Sequence, residues 1–147
     1  MAFSDRLRTQ QETVVLEQFP IAPTLAASDV ERAKAWYAEK LGMQPTFEWP
    51  GGLMYPAGGN PMGFGVYLSP NAGTNRATSA AWAVDDLDRV MSGLRERGLQ
   101  FEDYDTAELL TVDGIGTSDD GSRSAWFIDS EGNTLMIMQL SPEVAPR

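Results

Sequence analysis

The chain has 147 residues, enough for one ordinary domain, and 42% of them are hydrophobic, as in typical globular proteins. Its formal net charge of -10, from 21 acidic and 11 basic residues, disfavours binding to nucleic acid phosphates and favours cationic partners. Cysteine and histidine are both absent, which excludes disulfides, thiol catalysis, Ser-His-Asp chemistry and any metal site built on imidazole or thiolate.

Residues 1–18 are predicted to be an N-terminal arm or tail outside the folded domain. A polar start gives way to the β-prone run 14–16. The sequence leaves open whether this segment packs on a neighbouring molecule or is a partly ordered tail. The domain proper is predicted to cover residues 19–147, with a first module at 19–70 and a second at 77–142.

The first module reads as a strand, a helix and three further strands. A strand at 21–27 leads to Ser28 and Glu31, whose spacing fits a capping box at a helix start. Apolar residues then recur at helical spacing until Gly42, which suits a left-handed helix end. The strands that follow are predicted at 43–49, 53–56 and 62–68, with Gly- and Pro-rich turns between them.

The second module repeats this order. A strand at 78–84 is followed by a helix that begins at Asp85 and Asp86 and ends at Gly98. Strands are predicted at 99–104, 122–129 and 134–140, and a tight turn at 131–133 joins the last two. The interval 105–121 is predicted to be a long loop, or a short strand with irregular flanks.

The two modules align with each other, Asp29 with Asp86 and Tyr37 with Leu94. A strand–helix–three-strand unit cannot bury its sheet face alone, whereas two copies side by side can. We therefore predict an α+β fold in which two tandem βαβββ modules form a cupped, partly open mixed sheet with the helices outside.

Three runs of sequence resemble the vicinal-oxygen-chelate superfamily, which includes glyoxalases, bleomycin resistance proteins and extradiol dioxygenases. They are SDVERA at 28–33 with WY and LG after it, VDDLD at 84–88, and AWFIDSEGN at 125–133. In that order and spacing they extend the resemblance over residues 21–140.

Enzymes of this superfamily hold one metal ion in the cup through His, Gln and Glu side chains. The resemblance places the corresponding positions at Ala22, Ser79 and Met136, with the fourth within 63–66, a run of sequence GFGV. Methyl, hydroxyl and thioether groups do not replace imidazole and carboxylate as ligands of a divalent metal. We therefore predict no metal and no cofactor, which removes dioxygenase and glyoxalase chemistry.

Strand alternation predicts which side chains line the cup. On the two first strands the inward positions carry only Ala, Ser or Thr, which leaves volume for a ligand bordered by aromatic and methionine side chains. The side chains predicted to point the other way, towards the helices, include Leu25, Trp82, Phe127, Leu135 and Ile137. The predicted ligand-binding residues are Phe47, Trp49, Tyr55, Phe64, Ser79, Trp126, Met136 and Met138.

The sequence favours a metal-free protein of the glyoxalase/bleomycin-resistance type that sequesters a small organic ligand, for which a cationic aromatic compound suits the acidic surface. The resemblance implies a homodimer and a role in antibiotic resistance. With no run of about 18 apolar residues and no signal peptide pattern, we expect no membrane association and a cytoplasmic location.

Two alternatives stay open. The first is a metal-independent isomerase, lyase or cyclase that uses a pocket carboxylate or tyrosine. Its candidate groups are Glu48, Tyr55, Tyr67, Glu102, Asp103, Tyr104 and Asp113. The second is an interaction or regulatory domain with no small ligand, which predicts a filled cup and an exposed apolar patch.

Overall fold

The computed structural model describes residues 14–146, which form two sheets and two helices. Helix α1 (Val30–Trp36) continues as a π turn (Tyr37–Leu41), and helix α2 is Leu87–Glu96; a short 3-10 turn, Leu16–Gln18, precedes them. The strands are β1 (Thr24–Ala27), β2 (Phe47–Trp49), β3 (Gly52–Ala57), β4 (Asn60–Leu68), β5 (Thr78–Ala83), β6 (Thr111–Val112), β7 (Ile115–Thr117), β8 (Arg123–Ile128) and β9 (Thr134–Gln139).

The first sheet has the strand order β1-β4-β3-β2, and the second has the order β5-β9-β8-β7-β6. In each sheet the strand before the helix pairs in parallel with the last strand of its module, and the other pairs are antiparallel. The first half of the chain is therefore a βαβββ unit, and the second is the same unit with one additional short strand, which confirms the predicted α+β fold class and the duplication.

Both helices begin at an aspartate. The side chain of Asp29 accepts a hydrogen bond from the amide of Arg32 at 2.9 Å, and Asp86 accepts one from the amide of Arg89 at 3.1 Å. The predicted capping box was wrong, because the amide of Ser28 donates instead to Glu131, 3.0 Å away on the other module. The predicted helix end at Gly42 is confirmed by its left-handed backbone, with φ of 67°.

The interval 99–121 differs from the sequence prediction. Residues 99–104 do not form a ladder strand; one amide, that of Glu102, bonds to the carbonyl of Trp126. The edge of the second sheet comes from the β6–β7 hairpin instead, inside the interval predicted to be irregular. Its turn places Asp113 and Gly114 at positive φ (54° and 81°), a conformation that Asp-Gly adopts readily.

One hydrophobic core lies between the helices and the helix-facing sides of both sheets. Leu25, Phe127, Leu135 and Ile137 are buried there, and Trp82 packs against them, as alternation predicted. Aromatic rings join the two halves, since Trp36 stacks on Phe127 at 6.3 Å and Phe64 meets Trp82 edge-on at 5.6 Å. The opposite faces of the sheets are open.

The turn between β8 and β9, residues 129–133, fastens the second module to the first; we call it the lock turn. The carboxylate of Asp129 accepts a 2.7 Å hydrogen bond from the Tyr37 hydroxyl. The carboxylate of Glu131 accepts bonds from the amides of Ser28 and Asp29 and from the guanidinium of Arg32. The lock turn therefore holds the N-terminal end of α1 in place.

Most of the predicted N-terminal arm, residues 1–13, lies outside the described residues. In the described part, Leu16 is 86% exposed and Ile21 is 91% exposed. The β-prone run 14–16 leads into the 3-10 turn rather than a strand. Among the described residues, no helix has the length and apolar character needed to cross a bilayer.

Candidate functional site

The open face of the second sheet carries Trp126, Met136 and Met138. Trp126 on β8 pairs across the ladder with Met136 on β9, and Met136 in turn lies beside Ala81 on β5. Met138 lies beside Ala83 in the same way. The structure thus brings these three predicted site residues together on one half-buried surface next to small side chains.

A groove of about 630 Å³ lies at the outer part of this sheet. Its floor is Trp126 with the neighbouring strand residues, and its far wall is the loop before β6. The residues that line it are Glu108, Leu109, Leu110, Val112, Ile115, Gly116, Thr117, Ser118, Ser122, Arg123, Ser124 and Trp126. A volume of this size falls in the usual range for small-molecule sites, about 300–1,000 Å³.

The indole of Trp126 is held in a fixed orientation. Its Nε1 donates a hydrogen bond to the hydroxyl of Thr78 at 3.2 Å. The ring of Tyr104 meets it edge-on, with centroids 5.8 Å apart. A tryptophan whose polar edge is satisfied from one side presents its flat apolar surface to a ligand on the other.

Gly116 packs closely against the indole of Trp126 and the side chain of Leu109. A Cβ at this position would lie 3.1 Å from Cδ1 of Leu109 and 3.2 Å from Cζ3 of Trp126. Even alanine would force one of these neighbours to move. The absence of a side chain at Gly116 therefore lets Leu109 and the indole pack closely against this strand.

The loop that forms the far wall is anchored by Asp103. Its carboxylate accepts hydrogen bonds from the hydroxyl of Thr111 at 2.9 Å and the amide of Gly114 at 2.8 Å. The same hydroxyl accepts the amide of Tyr104 at 2.7 Å. These bonds fix the ends of the loop, so that Leu109 and Leu110 are presented to the groove.

The groove has one unpaired charge among the described residues. Arg123 is bound by Asp88 through two 2.9 Å hydrogen bonds, which raise the pKa of the guanidinium and lower the pKa of the carboxyl. Glu108 forms no ion pair with any residue in the range 14–146. The local charge of the groove is therefore negative.

The remaining predicted site residues are distributed over two other places. Phe47 and Trp49 form an exposed pair on the first sheet, with rings 5.9 Å apart and exposed fractions of 46% and 40%. Within the described residues no ring contact joins this pair to Trp126. Ser79 lies at a register shift of β5, where its hydroxyl bonds to the carbonyl of Ala77.

Tyr55 and Phe64 do not lie on the open face. Both are buried in the core, stacked on each other at 5.1 Å, and Tyr55 also stacks on Tyr37 at 5.1 Å. The prediction that they line the cup was therefore wrong. It failed because three consecutive residues of β3, Leu53, Met54 and Tyr55, are all buried. An apolar run without alternation does not show which residues face the helices.

Sequence reasoning missed the groove wall formed by Leu109, Leu110, Val112 and Gly116. The signal was present, because Asp113-Gly114 between Thr111-Val112 and Ile115 is the pattern of a two-residue hairpin turn. It would have placed two short strands beside β8, and with them Gly116, which pairs with Ser124 and packs against the ring of Trp126.

The residues at the superfamily's metal-ligand positions do not fit a metal ion. Ala22 offers a methyl group, Met136 a thioether, and the hydroxyl of Ser79 is turned to a backbone carbonyl. Among residues 14–146 no group of three or more acidic side chains is placed to hold a cation.

The family model of the Glyoxalase/Bleomycin resistance protein/Dioxygenase superfamily matches residues 20–137. A glyoxalase/bleomycin resistance protein from Catenulispora acidiphila is 23% identical, with 84% of this chain and 99% of that one covered at a TM-score of 0.64. A bleomycin-binding protein complexed with bleomycin is 19% identical, with 84% and 99% covered and a TM-score of 0.64.

A lactoylglutathione lyase from Agrobacterium tumefaciens is 14% identical over 82% of this chain and 92% of that one, at a TM-score of 0.61. No protein of curated function matched the chain. The likenesses to solved structures are likenesses of fold, while the family model spans most of the sequence and both modules. The chain therefore belongs to the glyoxalase/bleomycin resistance protein/dioxygenase superfamily.

Proposed function

We propose that this protein binds a flat, cationic organic molecule in the groove at Trp126, without a metal ion and without changing it chemically. The observation that carries the proposal is the indole of Trp126, held by Thr78 and Tyr104 at the floor of a 630 Å³ groove. Flat aromatic ligands stack on such a surface, and tryptophan also attracts cations over its face.

Charge supports the cationic preference. The lining holds the unpaired Glu108, while its one arginine is neutralised by Asp88. The chain as a whole carries a formal charge of -10. Both the local and the long-range electrostatic potential therefore attract a positive ligand and repel a negative one.

The enzymatic alternative finds less support at this site. Tyr104 touches Trp126, but burial and the charge of Glu102 raise the pKa of its phenol, which keeps the hydroxyl protonated at neutral pH. Burial raises the pKa of Tyr55 to about 12, and its ring is in the core. The Asp103 carboxylate is occupied by the loop it anchors.

A homodimer forms part of the proposal. The aromatic pair Phe47 and Trp49 is exposed on the first sheet, and the groove is open on the second. In a dimer in which the first sheet of one copy faces the second sheet of the other, these predicted ligand residues would meet across the interface. The solved bleomycin-binding protein in complex with bleomycin makes bleomycin the first compound to test.

The experiment is a thermal-shift and tryptophan-fluorescence titration with bleomycin, 9-aminoacridine and acridine-9-carboxylate. The two acridines share a ring system and carry opposite charges. We expect the cationic 9-aminoacridine to raise the melting temperature of the protein, as any ligand selective for the folded state must. We expect Glu108→Gln to weaken its binding about threefold, the usual effect of one exposed charge.

Two variants test the position of the site. Trp126→Ala removes the stacking surface, and Gly116→Val displaces the indole and Leu109, which pack closely over this glycine, so both should abolish the shift. Trp82→Phe, on the helix-facing side of the same sheet, is the matched control and should retain it. Equal binding of the two acridines, or full binding by Gly116→Val, would contradict the proposal.

A further inference from the structure

A second cavity lies on the other side of the second sheet, between the two modules. We call it the inter-module cavity; its volume is about 160 Å³. The π turn of the first module contributes Leu41, and Met43 follows it. The second module contributes the rest of the lining, which is Trp82, Val84, Val90, Leu94, Phe127 and Ile137.

Every lining residue of this cavity is apolar. An apolar cavity of about 150 Å³ is enough to hold a benzene molecule. Val90 and Leu94 lie one helical turn apart on α2 and are only partly buried, so the cavity is reached from the surface. Its size and chemistry suit a single aromatic ring or a short branched alkyl group.

The guanidinium of Arg97 lies beside the turn that contributes Leu41 and Met43 to the cavity. Gly42 stands between the lining residues Leu41 and Met43, and a Cβ on it would lie 2.6 Å from Cζ of Arg97. Arg97 forms no ion pair with any of the described residues. The ammonium of Lys40 lies 3.4 Å from the carbonyl of Gly98 and 3.6 Å from a carboxylate oxygen of Glu39.

We propose that the inter-module cavity is a second small-molecule site, which takes an aromatic or short branched aliphatic carboxylate. The apolar part would fill the cavity, and the carboxylate would meet the guanidinium of Arg97. Arg97 has no ion pair among residues 14–146, and its planar donor groups match a carboxylate. The inter-module cavity would thus prefer an anionic ligand, whereas the groove at Trp126 would prefer a cationic one.

The position of the cavity gives its occupant a further effect. Because both modules contribute to the lining, a bound molecule would contact both and favour their present arrangement over any looser one. The groove at Trp126 lies on the opposite face of the same sheet. The two sites can therefore be occupied together and be tested separately.

The first test uses the wild-type chain and its methionine methyl groups, observed by NMR with labelled methionine. Benzoate is the probe, and toluene and benzylamine are its neutral and cationic counterparts. Ring-current shifts at the methyl of Met43, assigned through Met43→Leu, are expected with benzoate, while Met136 and Met138 on the open face stay unchanged. Shifts at Met136 or Met138 alone would overturn the proposal.

The second test compares variants by titration with benzoate. Val90→Phe should fill the cavity and abolish binding, whereas Gly93→Ala, on the same helix with nothing near its added methyl group, should bind like wild type. Arg97→Gln should weaken benzoate three- to fivefold, as expected for an exposed ion pair, and leave toluene unchanged. Trp126→Ala should bind benzoate normally even if the groove has lost its own ligand.

Two outcomes of this comparison overturn the proposal. Unchanged benzoate affinity in Arg97→Gln contradicts the assignment of the carboxylate. Binding that survives Val90→Phe and disappears in Trp126→Ala assigns benzoate to the groove instead. Neither outcome depends on whether the groove binds cations, so failure of one proposal is distinguishable from failure of the other.

Discussion

At the scale of single residues, the carboxylate of Glu131 connects the two modules. Its side chain is 0% exposed, and it accepts hydrogen bonds from Arg32, from Ser130 and from two amides that precede α1. Burial by itself would raise the pKa of this carboxyl, but the hydrogen bonds outweigh burial and lower the pKa to about 2. The folded state therefore favours the charged form of Glu131.

Glu131→Gln keeps the shape of the side chain and removes its charge. We expect it to lower the free energy of unfolding by about 2 kcal/mol at pH 7, the usual size of a charge-assisted hydrogen bond lost on truncation. Urea denaturation measures this loss, and the exposed Glu96→Gln serves as the control. A loss under 0.5 kcal/mol, about the scatter of surface substitutions, would contradict the proposed role of the lock turn.

The same substitution has a defined pH dependence. The pKa of Glu131 in the folded state lies below its ordinary value of 4.5, so the unfolded chain binds the proton first as the pH falls. The stability that Glu131 contributes is therefore complete above pH 4.5 and is lost as the pH falls from 4.5 towards 2. The difference between wild type and Glu131→Gln should shrink across this window in denaturation at several pH values.

Two stacked tyrosines provide a matched pair of substitutions. The hydroxyl of Tyr37 donates to buried Asp129, whereas the buried hydroxyl of Tyr55 has no hydrogen-bond partner among residues 14–146. We expect Tyr37→Phe to destabilise the fold by about 1–3 kcal/mol and Tyr55→Phe to leave it unchanged or slightly more stable. Thermal unfolding of the two variants side by side checks this, and equal losses would argue against it.

At the scale of elements, the two helices and the last hairpin could be predicted from local pattern. The capping aspartates, Gly42 and the alternation on β8 and β9 each have a physical cause that acts within a few residues. The module-one lining could not be predicted, because the first four residues of β3 are all buried and its alternation is hidden. Ser28 also escaped prediction, since its partner Glu131 is 103 positions away.

Two glycines of the α2 region are expected to respond in opposite ways to alanine. Gly93 lies inside α2, and a methyl group there would meet nothing within 4 Å, so Gly93→Ala should stabilise the fold by up to about 1 kcal/mol. Gly98 has φ of 89°, and its Cβ would lie 2.9 Å from the ammonium of Lys40, so Gly98→Ala should destabilise it. The melting temperatures of the two variants measure these changes, and shifts of the same sign would contradict the prediction.

At the scale of the whole molecule, the open face of the first sheet is an exposed aromatic surface. Phe47, Trp49 and Tyr67 are each at least 40% exposed, and Trp49 and Tyr67 flank Gly52 in the ladder. Monomeric proteins rarely leave such a surface uncovered. This supports the proposed dimer, whose interface would include the first sheet.

Trp49→Asp places a charge in that surface and should shift the chain from dimer to monomer in light scattering or sedimentation equilibrium. Leu16→Asp, in the exposed segment before β1, is the control and should leave the dimer intact. Dissociation by Leu16→Asp alone would place the interface on the N-terminal segment instead.

The lock turn also bears on how long the folded state lasts. Its bonds to Ala26, Ser28, Asp29, Arg32 and Tyr37 join positions 92 to 107 residues apart. Contacts with such wide sequence separation cost the most chain entropy to close, so we expect them to form after the rate-limiting step of folding. Glu131→Gln should then speed unfolding in stopped-flow measurements and leave the refolding rate nearly unchanged. The turn that joins the modules would thus govern the lifetime of the native chain more than the speed at which it forms.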